Sequence, residues 1–135
     1  MLEVRSEKLE VGKEQNQMIQ SYRDLRVYRQ SYELGKRMHQ VSQTFPQEEK
    51  YELGSQLRRA AISIALNLAE GYGKKVSSAD FKRFILMAMG SCNEVQVLLD
   101  YAKDFGYIAE EEYQHYWGEY DQLGKQLNAL HQKWE

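Results

Sequence analysis

Four sets of side chains in this chain have types and spacings that chemistry could use. Glu112-x-x-His115 is half of the carboxylate–histidine pattern with which helix bundles hold a pair of metal ions. A whole centre needs a second such pair and two more inward glutamates. His39 and His131 instead follow Lys36 and Asn128 at that spacing, so the second half is missing. Cys92 is the sole cysteine, which excludes an internal disulfide and a cysteine metal cluster. A catalytic thiol needs an electropositive, partly open setting with a base nearby. Cys92 falls on a line with Ala88, Val95 and Leu99, where a thiol behaves as a small hydrophobe. Gly71-Tyr72-Gly73-Lys74-Lys75 has the residue types of a phosphate loop, but it follows a helical pattern and lacks that motif's spacing. The fourth set is polar: Gln56, Arg59, Ser63, Asn67 and Glu70 recur at steps of three or four along a largely apolar helix. A metal-carboxylate bundle enzyme is the only enzymatic alternative these residues offer. The expectation is no enzyme, no catalytic residue, no metal and no cofactor.

The helix that carries the polar line organises the chain. Leu53, Leu57, Ala60, Ala61, Ile64 and Leu68 mark one apolar face, and Ile62, Leu66 and Ala69 add apolar surface on other sides. One bundle covers one side of such a helix, so a second subunit is expected to cover another. Around it the spacing predicts helices over about 24–43, 47–71, 78–105 and 109–134. Asp24 is the expected cap of the first, and Ser77-x-x-Asp80 resembles a capping box before the third. Phe45-Pro46 breaks the chain after the first helix. Gly71 and Gly73 are expected at positive φ to end the second, and Gly106 ends the third. Short connections between helices of matched length predict an all-α, antiparallel up-down-up-down four-helix bundle over residues 22–135. Residues 1–21 read as a flexible N-terminal arm whose Leu2, Val4, Leu9 and Val11 could dock on a neighbour.

A hairpin of the second and third helices about residues 73–75 would set residues level when their numbers total about 149. Glu94 then lies within a turn of Arg58 and Arg59, with Ser91 beside them. An interhelical ion pair from Arg58 or Arg59 to Glu94, with Asn67 hydrogen-bonded nearby, is the expected heart of the seam. Gln56, Arg58, Arg59, Ser63, Asn67, Glu70, Ser91 and Glu94 are therefore the candidate seam and interface residues.

The formal net charge of −2 argues against a uniformly basic nucleic-acid binder. The charge is polarised, however. Residues 58–83 hold six bases against Glu70 and Asp80, and residues 94–121 hold eight acids against Lys103. Lys74, Lys75, Lys82 and Arg83, around the turn between the second and third helices, are the candidate nucleic-acid contacts. No apolar run reaches the ~18 residues of a membrane span, and no signal-peptide pattern opens the chain. A cytoplasmic protein without membrane contact is expected.

Phe45-Pro46, Glu49, Tyr51, Leu53, Gln56, Arg58-Arg59-Ala60-Ala61, Ser63-Ile64, Asn67 and Ala69-Glu70-Gly71 together resemble a known signature. Gly90-Ser91, Glu94 and Gly106-Tyr107-Ile108 continue it. It is that of the small four-helix-bundle proteins encoded in intervening sequences of bacterial 23S ribosomal RNA genes. The accessory variability proteins of diversity-generating retroelements are related to them. The resemblance spans about Tyr22 to Leu130. It implies a homo-oligomer, typically a pentameric barrel, with no known enzymatic activity. In the retroelement branch it implies an accessory protein that binds RNA and a reverse transcriptase. The partners it suggests are further copies of the chain, RNA, or an RNA-binding protein.

Overall fold

Pro46 and the residues around it decide how the chain turns its first corner. In the computed structural model, which describes residues 19–135, α1 (Arg26–Ser42) gives way to a single turn, α2 (Gln47–Lys50). The long helices α3 (Leu53–Gly73), α4 (Ser78–Asp104) and α5 (Glu110–Lys133) follow. All the described elements are helical, and α1, α3, α4 and α5 form the expected four-helix bundle. α3 packs against both α1 and α4, α4 packs against α5, and α1 meets α5 only lightly. The arm expected over residues 1–21 lies, up to residue 18, outside the described residues.

The apolar periodicity becomes the core. Val27, Met38, Leu57, Ala61, Ile64, Leu68, Ile85, Ala88, Val95, Leu99, Leu123, Leu127 and Leu130 are all fully buried or nearly so. Burying each larger aliphatic side chain contributes about 1.5–3 kcal/mol against leaving it in water. Trp134 closes one end of this core, its ring edge-on to Phe81 at 4.6 Å.

Three helix ends depart from the sequence reading. Asp24 does not cap α1. It lies in a 3-10 turn (Tyr22–Asp24), where its carboxylate accepts from the Gln20 and Ser21 amides and completes a capping box with Ser21. α1 begins after Leu25 without a side-chain cap. The second helix is not continuous from residue 47, because the backbone breaks at Tyr51 and Glu52, the latter at φ −108°, ψ −93°. Arg58 accounts for that break being stable: its Nη2 donates to the Lys50 carbonyl at 3.1 Å and its Nη1 to Ser42 Oγ at 2.9 Å. One guanidinium thus takes up a carbonyl that the end of α2 would leave unpaired. Gly71 and Gly73 are not at positive φ, since α3 runs through both. Only Gly106, among the described residues, has positive φ, at 81°. There the Tyr107 amide donates to the Ala102 carbonyl and the Gly106 amide to that of Lys103, a Schellman stop for α4. Ser77 caps α4 by accepting from the Asp80 amide, as its position predicts.

Candidate interaction surfaces

The later end of α3, at Gly73, resets the register of the α3–α4 hairpin, and the polar seam changes with it. Ser63 Oγ donates to Ser91 Oγ, and Gly71 lies against Phe84. Level residues therefore total 154 or 155 rather than 149, which sets Glu94 opposite Ala60 and Ala61. Arg58 is turned away toward α1 and α2. Arg59 and Glu94 are both exposed and line one shallow groove with Gln56, Ser63 and Leu66, yet no ion pair closes between them among the described residues. The expected Arg58–Glu94 or Arg59–Glu94 bridge is thus absent among the described residues, because the hairpin turns later than one centred on residues 73–75. Asn67 does bond locally, its Nδ2 donating to the Ser63 carbonyl at 2.8 Å. Glu70 is exposed.

Between this groove and the next stands an apolar ridge. Ile62 and Leu66, one helical turn apart on α3, are 49% and 62% exposed. On their other side a groove of about 440 Å³ runs between α1 and α3, lined by Tyr28, Tyr32, Gly35, Ala65 and Ala69. The outer face of α4 adds exposed Leu86, Met87 and Val97. Ile62 and Leu66 thus stand on the second side of the helix that their spacing assigns them.

The basic set is larger than the sequence showed. Lys74 and Lys75 are exposed in the α3–α4 turn, where Lys75 Nζ sits 4.8 Å from the centre of the Tyr72 ring. Arg83 covers the Phe84 ring at 4.7 Å and pairs with Asp80 at 3.7 Å, while Lys82 is half-buried. The Tyr72 hydroxyl donates to the Ile19 carbonyl at 3.2 Å, which brings the start of the described chain to this end. Arg23 and Arg26 come with it, and the Phe81–Trp134 contact brings Lys133 from α5. His131 is there too, its pKa lowered by burial and by the neighbouring Lys82. No spacing in the sequence could have joined three segments so far apart.

The opposite end is acidic. Residues 43–58 and 100–113 hold eight acids against Lys50, Arg58 and Lys103. Tyr113 donates to Asp100 Oδ1 at 2.6 Å, and that bond to a carboxylate, more than burial, pushes its hydroxyl up to about 12.

The residues considered for catalysis are used otherwise. Cys92 is buried on α4, and burial pushes its thiol up to about 12, so it stays protonated and unreactive. The His115 ring packs edge-on to Tyr116 at 4.8 Å. Among the described residues no three His, Cys, Asp or Glu side chains converge as a metal site would require. No described helix is long and apolar enough to cross a membrane.

Comparison with known proteins adds two findings. The sequence profile of a family described as 23S rRNA-intervening sequence protein matches residues 23–129. A crystal structure of a protein of unknown function from the S23 ribosomal protein family of Bacteroides thetaiotaomicron superposes with a TM-score of 0.73 at 24% identity. The match covers 79% of this chain and 96% of that one, and at this identity it is a likeness of fold. No curated protein matches the chain.

Proposed function

The chain belongs to the 23S rRNA-intervening sequence protein family, and from that membership we propose that it works as a non-enzymatic, homo-oligomeric scaffold. The observation that carries this reading is the exposed Ile62–Leu66 ridge on a helix whose opposite apolar face, Leu57, Ala61, Ile64 and Leu68, is buried. A second copy seated there would recover about 1–1.5 kcal/mol for each of the two half-exposed side chains. A ring needs two different faces that fit each other. The α3 ridge with its α1 groove supplies one, and the outer face of α4, with Leu86 and Val97, supplies a second. The family resemblance favours a pentamer. Light scattering of the purified chain tests this, and a stable monomer at micromolar concentration would remove it.

A second reading, RNA association, is favoured by the convergence of Lys74, Lys75, Lys82, Arg83, Arg23, Arg26 and Lys133 at one end. In a ring of parallel copies these ends would meet as a basic rim. Each phosphate neutralised steepens the log–log salt dependence by about 0.7 on single strands. Binding to structured RNA across a salt series, for the natural chain and for Lys74→Glu with Lys75→Glu, is the test. Absent or salt-insensitive binding would end the RNA reading. An accessory role beside a reverse transcriptase is the narrower form of the same proposal, and copurification with such an enzyme would test it. A cytoplasmic location fits both readings.

A further inference from the structure

Four aromatic rings leave the core at the acidic end of the bundle and emerge in water. Phe45 is buried, Tyr107 is half-buried, and Phe105 and Tyr101 are 56% and 52% exposed. Each ring touches the next, with centroids 5.6 Å apart from Phe45 to Tyr107, from Tyr107 to Phe105 and from Phe105 to Tyr101. Buried Phe45, and Tyr107 through its contact with it, tie the exposed pair to the core, so the patch is fixed in place.

Elsewhere in the chain cations lie over five aromatic rings, though among the described residues none covers Tyr51, which is 72% exposed. Arg23 lies over Tyr22, Lys36 over Tyr32, Lys75 over Tyr72, Arg83 over Phe84 and Lys103 over Tyr113. Tyr101, Phe105 and Tyr107 have ring neighbours but no such cation among the described residues. Acids outnumber bases eight to three in the segments that meet at this end. Desolvation, then the charge of Glu49 and its hydrogen bond with the hydroxyl, then the charge of Glu48, raise the pKa of Tyr107, and Asp104, which lies 3.7 Å from Lys103 Nζ, adjoins Phe105 in the chain. An exposed ring face attracts a cation, and a guanidinium can lie flat on the ring while its edge bonds a carboxylate. Lysine has no such plane. Water-exposed aromatic surface inside a field of negative charge thus fits one chemistry better than others.

We propose that the Tyr101–Phe105–Tyr107 patch is a docking surface for an arginine-bearing basic segment of a partner protein, with Glu48, Glu49 and Asp104 as its carboxylate rim. The site lies at the opposite end of the bundle from Lys74 and Lys75, so it stands or falls apart from the RNA reading. The experiment is fluorescence anisotropy of the full chain with a short labelled peptide of alternating arginine and glycine, and with lysine–glycine and glutamate–glycine counterparts. The arginine peptide should bind and weaken with salt, the lysine peptide should bind less well, and the glutamate peptide should not bind. Tyr101→Ser with Phe105→Ser should weaken the arginine peptide about tenfold, the loss of two exposed cation–ring contacts. Glu48→Gln with Glu49→Gln should weaken it too, which covers the case in which the serine pair disturbs folding. Lys74→Glu with Lys75→Glu should leave it unchanged. No binding, equal binding of the arginine and lysine peptides, or binding unmoved by the serine pair would overturn the proposal. So would a serine pair that dissolves self-association while the natural chain ignores the peptide, since the patch would then belong to a second copy.

Discussion

Gly71 of α3 and Phe84 of α4 touch so closely that a β-carbon added to Gly71 would lie 2.5 Å from the β-carbon of Phe84. Phe81 crowds the same point, with its ring carbon at 3.1 Å. The glycine is there for closeness, since its backbone is helical.

That closeness sets the sign of a substitution. In an open helix, Gly→Ala gains about 1 kcal/mol of propensity. At Gly71 the added methyl meets a β-carbon that moves only with its backbone, and overpacking of this kind costs about 1–3 kcal/mol. Gly71→Ala should therefore lower the urea midpoint. Gly73→Ala, two residues on with nothing within 4 Å, should leave it unchanged or raise it slightly.

The Arg58 guanidinium holds the α2–α3 break through Ser42 and the Lys50 carbonyl. Hydrogen bonds from a charged donor are worth about 1.5–3 kcal/mol. Arg58→Ala should cost about that much in denaturant unfolding, and Arg58→Lys should recover little, because one ammonium cannot span both acceptors. Glu94→Gln, at an exposed position without an ion pair, should change stability by less than about 0.5 kcal/mol. A large loss from Glu94→Gln in the dissociated chain would restore the interhelical bridge.

Ile62→Glu with Leu66→Glu should leave helical circular dichroism intact, since both side chains point out of the bundle. The same pair should shift light scattering to a smaller species. Unchanged mass would move the subunit interface elsewhere.

His131 gives the acid dependence a local cause. Burial first, and Lys82 second, lower its pKa below the ordinary 6.5. Between the lowered value and 6.5 the unfolded chain binds more protons than the folded one, so stability falls as pH drops through that window. His131→Gln should flatten the loss in that range. Thermal melts of both chains from neutral to mildly acid pH would read it.

The bundle was legible in the sequence because one physical rule governs it. Leu57, Ile64 and Leu68, like Ile85, Cys92 and Leu99, recur where a helix puts one face, and burial follows that face. What failed was local or long-range. Asp24 has the chemistry of a forward cap, yet Ser21 offers it a box in the other direction. Gly71 reads as a stop, because glycine's packing use leaves no mark in spacing. That reading ends α3 about two residues early, shifts the hairpin register and sets Glu94 level with Gln56 rather than with Ala60. Arg58 was singled out, but its partners on α1 and α2 are joined to it only by the fold. The basic end was half visible at Lys74, Lys75, Lys82 and Arg83; Arg23, Arg26 and Lys133 reach it only once the helices are stacked.

The separation of charge along the bundle makes the chain a bar with unlike poles about 40 Å apart, the length of a 27-residue helix at 1.5 Å per residue. Bars set side by side in the same direction bring like poles together, whereas bars laid end to end bring unlike poles together. The parallel ring proposed above would therefore form against its own electrostatics, and the apolar ridge would have to hold it. Salt shortens the reach of charge to ~10 Å at 0.1 M, so it should tighten such a ring while it loosens anything bound at the basic pole. Sedimentation velocity and RNA binding followed over one salt series should then move in opposite directions.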